Sequence, residues 1–573
     1  MRITYGSDVI VATMQGLGIE YAAMNPGASW RGLHASLVEA GSPGLIMCLQ
    51  ENVVVGVANG YGKATGKPMA AILHNLVGMQ TGLMSTFNML ANQTPALVLG
   101  GSGPADHARR RPWIDWIHTA RPQSLIARES VKWDDEPLSI EAIPSSLRRA
   151  YKVAMMAPQG PTYVNFDALL QEEELGSREL DIPQGPVAIP LTSAPQGDLD
   201  RMADALVNAQ RPVIIADYTG KTQEAFHALR SLAETLWAPV VDCGIRHNFP
   251  TNHPLDQAFR RKEVLADADV VLCLDARDVV WALSSINHKT HGLEWDIQPD
   301  VTVLNISLTD QMNTGYLTRE PHYEPDVGVA GDTRVVLPLL AELVAERKPD
   351  TSGRTAWVDT QAAEHRKVVE RQVEGQQANG ELTEGLLMQA AWEVARESPW
   401  LIAFGGSGRN YRNLRSTWDL ADWNCHLGGS GGGGLGYAPG ASVGAALAHR
   451  DDDTLVFNFQ PDGDAMYTFQ ALWTAAHERI PLLTIVLSNR TYGQDRMHQS
   501  IVTEERGGDL SKVAIGIDIE DPTINFSMLA EALGVQGFGP IEDKDELRPT
   551  LDEAARIVRE ERRPVLVDVG LPR

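Results

Sequence analysis

Positive charge, cysteine and long apolar runs are what this sequence has least of. Against 74 Asp and Glu stand 49 Lys and Arg, a formal net charge of −25 over 573 residues. No basic stripe offsets that balance, which argues against nucleic-acid binding and against an anionic membrane surface. The cluster Arg109-Arg110-Arg111 is too short to change this and reads as a solvated loop. Four cysteines (Cys48, Cys243, Cys273, Cys425) are scattered without metal spacing or pairing, so a reducing compartment is expected. No apolar run reaches the roughly 18 residues of a spanning helix, and the N-terminus lacks a basic-then-apolar signal pattern. The expectation is a cytoplasmic protein with neither a membrane nor a nucleic-acid partner. Short-period repeats are missing too, and Gly220 alone is far from a dinucleotide fingerprint.

What is present is an ordinary globular composition, 43% hydrophobic and 21% charged. A chain of this length needs several cores. Short apolar strands alternate with helical stretches in the first part: Ile19 to Met24, Gly44 to Cys48, Met69 to Leu73 and Ala96 to Leu99. A second set follows at Val213 to Ala216, Pro239 to Asp242, Val270 to Leu274 and Val301 to Asn305. Alternation of this kind predicts an α/β fold of three doubly wound parallel-sheet domains, at 1–178, 190–346 and 381–573. The acidic run from Gln171 into prolines up to Pro195 reads as one linker. The polar stretch from Lys348 to about Gly380 reads as a second, partly helical one.

The most informative motif is Gln460-Pro-Asp462-Gly463-Asp464 with Ser488-Asn489-Arg-Thr491-Tyr492-Gly493. An amphipathic run, Tyr467 to His477, and an apolar strand, Pro481 to Leu487, lie between. That order puts Asp462 and Asn489 at the carboxyl ends of neighbouring parallel strands, where open α/β sheets bind ligands. An Asp carboxylate, an Asn amide oxygen and the Thr491 carbonyl make half of an octahedral oxygen shell, which diphosphate oxygens and water would complete around Mg²⁺. A chance Asp-Gly turn is the bland alternative. A second module stands near the other end. Glu51 follows an apolar strand and opens a helix whose small residues, Gly56, Ala58, Gly60 and Gly62, allow close backbone approach. Taken alone, Glu51 is also what a helix dipole favours in a first turn.

Together the two modules resemble the thiamine-diphosphate (ThDP) enzymes, and further segments resemble the 2-oxoacid decarboxylases of the benzoylformate decarboxylase type. These are Asn25-Pro26-Gly27, Val131-Lys-Trp133 with Glu136-Pro137, and Met156-Ala-Pro-Gln159-Gly-Pro161. The resemblance covers nearly the whole chain and is faintest between about 190 and 370. It implies pyrimidine-binding, middle and diphosphate-binding domains. Glu51 would switch the aminopyrimidine tautomer, His74 would manage protons, and Asp462, Asn489 and Thr491 would hold Mg²⁺ and the diphosphate. Gly463, Asp464, Tyr492 and Gly493 would complete that turn. Leu435, after the glycine run from Gly428 to Gly434, would wedge between the cofactor rings, with those glycines letting the backbone lie against cofactor and phosphate. Because Glu51 and Asp462 meet across a subunit interface in that family, a homodimer at least is implied, and a homotetramer is common.

Three departures stand out. Pro461 replaces the usual Gly before Asp462 and removes one N–H near the phosphate. The serine after Asn-Pro-Gly is Ala28 here, with Ser29 next, and the segment Ala276 to Trp281 lacks the second histidine. His34, His118 and His288 are weaker candidates than His74. After Gly493 the sequence turns polar, and a helix beginning there would aim Gln494 and His498 at one cavity. The reaction implied is C–C cleavage beside a carbonyl, first a 2-oxoacid decarboxylation. The alternatives are a carboligase of the acetolactate synthase type, a 2-hydroxyacyl lyase or a diketone hydrolase.

Overall fold

The computed structural model describes residues 2–111, 116–287, 290–309, 319–377, 381–406 and 408–573. His288 lies outside them. Three parallel sheets with flanking helices organise the chain. The first sheet contains β1 (Tyr21–Met24), β2 (Gly44–Met47), β3 (Met69–Leu73), β4 (Ala96–Ser102), β5 (Asp134–Asp135) and β6 (Pro161–Asp167), ordered β2-β1-β3-β4-β6-β5. The second contains β7 (Pro212–Ala216), β8 (Val240–Asp242), β9 (Val270–Leu274), β12 (Thr302–Ile306) and β13 (Val327–Val329), ordered β13-β12-β9-β7-β8. Beside it, β10 (Ser284–Ile286) and β11 (Leu293–Trp295) pair antiparallel. The third contains β14 (Trp400–Phe404), β15 (Leu455–Pro461), β16 (Leu483–Ser488), β17 (Gln536–Ile541) and β18 (Val565–Gly570), ordered β14-β15-β16-β18-β17. The central strands are buried on both faces, which is why they read as unbroken apolar runs.

The first and third domains share one core. Helix Glu51–Thr65 and helix Tyr437–Ala448 are built mainly of small and β-branched residues and are buried over most of their length. Their glycines set the contact: a Cβ on Gly440 would meet Gly56 Cα at 3.1 Å, and one on Gly60 or Gly444 would run into Ala441 or Val57 backbone. Contacts step from Gly56 with Gly440 to Val57 with Gly444, so the helices run parallel. One apolar cluster accordingly joins Val53, Val57 and Met79 to Val443, Leu447 and Val456.

Two segments gain definite bounds. The amphipathic run from Tyr467 becomes a helix only at Ala471–His477, and ahead of it the Thr468 hydroxyl donates to Gly436 O at 2.7 Å. The second connector, read as partly helical, contains the helix Ser352–Gln377, which packs through Gln372 on helix Arg409–Thr417 and also on the middle domain. Its Arg354 caps the ends of two helices there, donating to the carbonyls of Leu236, Leu206, Val207 and Ala209. Among the described residues no helix is long and apolar enough to cross a membrane.

Candidate active site

Sheet order brings the candidate residues to strand ends. In the first domain Asn25-Pro26-Gly27, Glu51 and His74 follow β1, β2 and β3, which are neighbours. Glu51 opens its helix behind the Gln50 cap, whose side chain accepts from Val53 N at 3.2 Å. The residue is 8% exposed. Its carboxylate makes no hydrogen bond to protein among the described residues, and this buried acceptor therefore has room for an outside donor. His74 stands on the same wall: a Cβ on Gly78 would meet both His74 Cβ at 2.8 Å and Glu51 Oε1 at 3.1 Å.

Ser29, one position beyond Ala28, stands beside His74. Its hydroxyl lies 2.8 Å from His74 Nδ1. Gly27 makes this approach possible, since a Cβ there would sit 2.5 Å from the same ring nitrogen. Ser29 is itself fixed by Gln171, a buried residue of the supposed linker, which donates to Ser29 O at 2.9 Å. The His118 ring packs edge-on against His74 at 5.8 Å between centroids. His34 is on helix Arg31–Ala40. Asn75 follows His74, is fully buried, and neither of its side-chain polar atoms finds a partner among the described residues. Nothing in its local sequence marks it out; only burial does.

In the third domain Pro461 pairs with Leu487, so Asp462 and Asn489 leave adjacent parallel strands side by side. Asp462 accepts from Gly463 N at 2.7 Å and Arg490 N at 2.6 Å. Burial pushes its carboxyl up to about 6 against those two donors, and neighbouring Asp568 is likewise raised to about 6. Asn489 Oδ1 accepts from Thr491 N at 3.1 Å, and the Thr491 hydroxyl donates to Asp518 at 2.7 Å. Arg490 takes a positive φ of 59°, an uncommon conformation for a side chain of this size. The donor set of one carboxylate, one amide oxygen and a carbonyl suits a hard divalent cation, which would hold Asp462 ionised. No cluster of three or more His, Cys, Asp or Glu among the described residues offers a different metal site. Pro461 caps the short helix Asp462–Ala465 without disturbing it.

Asp464 turns inward. Both of its oxygens are used within the chain, by Gly436 N and by the Gln460 amide, each at 2.6 Å. It thereby ties the Asp462 turn to the Leu435 loop. Gly463 makes room for the Tyr492 ring, which a Cβ would meet at 2.6 Å. Three glycines of the run are packed against the chain itself. Gly431, Gly432 and Gly434 lie flat on helix Leu76–Ala91, where a Cβ would strike Ala91 O, Asn88 Oδ1 or Met84 Sδ at 2.5–2.6 Å. Asn88 clasps Gly434 through both of its amide atoms at 3.1 Å. Leu435 is left 39% exposed at the tip. Gln494 and His498 occupy one face of helix Gly493–Glu505, 2.9 Å apart between nitrogens and both exposed. That helix buries none of its residues in the single chain.

Family models agree with these modules. The N-terminal TPP binding domain of thiamine pyrophosphate enzymes matches residues 4–124, the central domain 199–340, and the C-terminal TPP binding domain 408–569. The chain belongs to the thiamine pyrophosphate enzymes. It is similar to benzoylformate decarboxylase of Pseudomonas aeruginosa, 25% identical over 533 residues and 91% of each chain. It is also similar to the acetolactate synthase isozyme 3 large subunit of Escherichia coli, 22% identical over 582 residues, covering 99% of this chain and 95% of the relative. Among solved structures, the thiamine diphosphate-dependent 4-hydroxybenzoylformate decarboxylase of Rhodococcus jostii RHA1 superposes with a TM-score of 0.74 at 21% identity, covering 99% of each chain. That likeness shows the fold. This thiamine pyrophosphate enzyme is thus related to decarboxylases and to carboligases of the same cofactor class.

Proposed function

We propose that this thiamine pyrophosphate enzyme is a Mg²⁺-dependent lyase that cleaves a C–C bond beside a carbonyl, decarboxylating a 2-oxoacid. The observation that carries the reading is the buried Glu51 carboxylate, without a protein donor, on the same wall as the Ser29–His74 pair. ThDP, when bound, supplies an electron sink for cleavage beside a carbonyl. Asp462, Asn489 and the Thr491 carbonyl would hold Mg²⁺, and through it the diphosphate. Asn25, Pro26 and Gly27 would face the pyrimidine end together with Glu51. Glu51 would share a proton with a ring nitrogen there, at an oxygen that no other group among the described residues engages. Leu435, exposed and anchored on both sides by Asn88 and Asp464, is shaped to hold a bent ligand. Ser29 holds the His74 ring at Nδ1, and His74 would exchange a proton with substrate.

Leu435, Tyr467 and Met497, respectively 39%, 52% and 46% exposed, are apolar groups that a second copy of the chain would cover. We therefore read the working unit as a homodimer at least, with the two ThDP-binding modules of one site coming from different copies. The test is a screen of 2-oxoacids and 2-hydroxy ketones with CO₂, aldehyde, ketol and acid readouts. CO₂ and aldehyde from a 2-oxoacid support the proposal. A ketol or an acid as the sole product refutes decarboxylase function in favour of the carboligase or hydrolase alternatives.

A further inference from the structure

Between Asn489 and Thr491 the backbone passes through Arg490 at a positive φ of 59°, a conformation that persists for such a side chain only when its surroundings hold it. Here two sides hold it. Arg490 N donates to Asp462 Oδ2 at 2.6 Å. On the other side Thr491 and Asp518 form an antiparallel bridge, in which Tyr492 N donates to Ile517 O at 3.2 Å and Ile519 N to Arg490 O at 2.8 Å. Those bonds flank the Thr491–Asp518 pair rather than joining it. In such a pair each residue turns its own N–H and C=O to the far edge, and the two side chains come closest. Both consequences are visible. The Thr491 N–H donates away from the bridge, to Asn489 Oδ1 at 3.1 Å, and the Thr491 hydroxyl donates to Asp518 Oδ1 at 2.7 Å. The Thr491 carbonyl shares the edge of its N–H, on the side of Asn489.

Asp518 has further partners. Its carboxylate, 11% exposed, accepts from Arg496 at both oxygens, at 3.1 and 3.2 Å. Arg573, beyond β18, lies 3.2 Å from Oδ2 and pairs with Glu520 as well. Arg496 belongs to helix Gly493–Glu505, which buries none of its residues. A cleft of about 390 Å³ lies between that helix and Gly516-Ile517, lined on the helix side by Asp495, His498, Gln499 and Val502. Among the described residues, Arg496 to Asp518 is the one side-chain hydrogen bond that ties the helix to a residue outside it. A single carboxylate therefore holds both the turn that presents the Thr491 carbonyl and the helix that carries Gln494 and His498.

We propose that Asp518 is a positioning residue with two separable tasks. Through the Thr491 hydroxyl it fixes the direction of the Thr491 carbonyl towards the cation, and through Arg496 it fixes the helix beside the cleft. The proposal rests on Asp462, Asn489 and Thr491 being the cation's ligands. Partners one bond behind a ligand are typically worth about 10–100-fold in metal affinity.

The test titrates Mn²⁺, an ion that accepts the same oxygen ligands, into the full chain saturated with ThDP, and follows the free ion by EPR. Hydrogen exchange over residues 493–505 is recorded alongside. Thr491→Val keeps the carbonyl and the shape but removes the hydroxyl, and should weaken Mn²⁺ binding by about 10–100-fold. Thr491→Ser, which keeps the hydroxyl and drops the methyl, should bind close to wild type. Asp518→Asn should weaken Mn²⁺ and also speed exchange in the helix. Arg496→Met should speed exchange and leave Mn²⁺ affinity close to wild type. If Asp518→Asn does not fold, the Val and Ser pair decides. Wild-type Mn²⁺ affinity in Thr491→Val, with affinity lost in Asp462→Ala, would overturn the positioning role and leave the metal ligands standing. A loss as large in Thr491→Ser as in Thr491→Val would overturn it too, since the hydroxyl would then be irrelevant. Unchanged Mn²⁺ affinity in Asp462→Ala would remove the metal reading, and this inference with it.

Discussion

Replacing Arg415 by Met should be among the most damaging single changes outside the active site. Arg415, on helix Arg409–Thr417, joins the third domain to the middle one by donating to Asp242 at 3.0 Å and Asp256 at 2.9 Å. All three side chains are at most 2% exposed. Burial alone would raise the Asp242 carboxyl, but Arg415 reverses this and holds it below the usual range. Asp256 is nonetheless pushed up to about 6 by burial, against the pull of the same guanidinium. Removing the cation strands two buried carboxylates, a loss of about 3–5 kcal/mol where one partner of a buried pair is deleted. For cooperative units of 150–250 residues that is roughly 6–20 °C in Tm. The sign with pH follows from proton binding. In Arg415→Met both carboxyls would titrate above their unfolded value, so between about pH 4 and that raised value the native variant holds protons the unfolded chain has released. Its stability then falls as pH rises. Urea unfolding at pH 5 and pH 8 should show a smaller deficit at pH 5, and adding Asp242→Asn and Asp256→Asn should recover most of it. A deficit below about 1 kcal/mol, or one that does not shrink in acid, would refute the reasoning.

Three further outcomes are expected. Glu51→Gln should keep its fold and its ThDP but lose exchange of the cofactor's C2 proton by about 10²–10⁴-fold, measured by NMR in D₂O; wild-type exchange would remove Glu51 from its role. Asp462→Ala and Asn489→Ala should each bind ThDP more weakly and make activity depend on added Mg²⁺, with chelator releasing cofactor; unchanged ThDP affinity in chelator would refute the metal turn. If Gln494 and His498 face the substrate, a plain phenyl ring leaves polar groups unpaired at about 1–3 kcal/mol each. Benzoylformate should then be a poorer substrate by kcat/KM than a 2-oxoacid with a hydrogen-bonding group, and Gln494→Ala with His498→Phe should reverse the preference.

The parts of this molecule that its sequence discloses are those whose cause is local. Parallel strands buried on both faces read as apolar runs, so β3, β9 and β16 were legible almost to the residue, and the polar residues at their carboxyl ends followed from them. The parts that stayed hidden depend on what a side chain meets far along the chain. Ser29 reaches His74 only because Gly27, two residues earlier, has no Cβ to block the ring. The glycine run after Gly428 has the composition of a cofactor loop, yet three of its members are glycine because helix Leu76–Ala91 presses against them. Asp464 sits in the candidate metal motif and spends both oxygens on Gly436 and Gln460. Lys63 stands in the last turn of its helix, and the fold carries it into the interior, where Arg246 donates to its carbonyl. In each case the residue type was visible and its partner was not. A glycine or a charge in sequence therefore marks a constraint on close approach or pairing, and the fold decides whether a ligand or the chain itself supplies the other half.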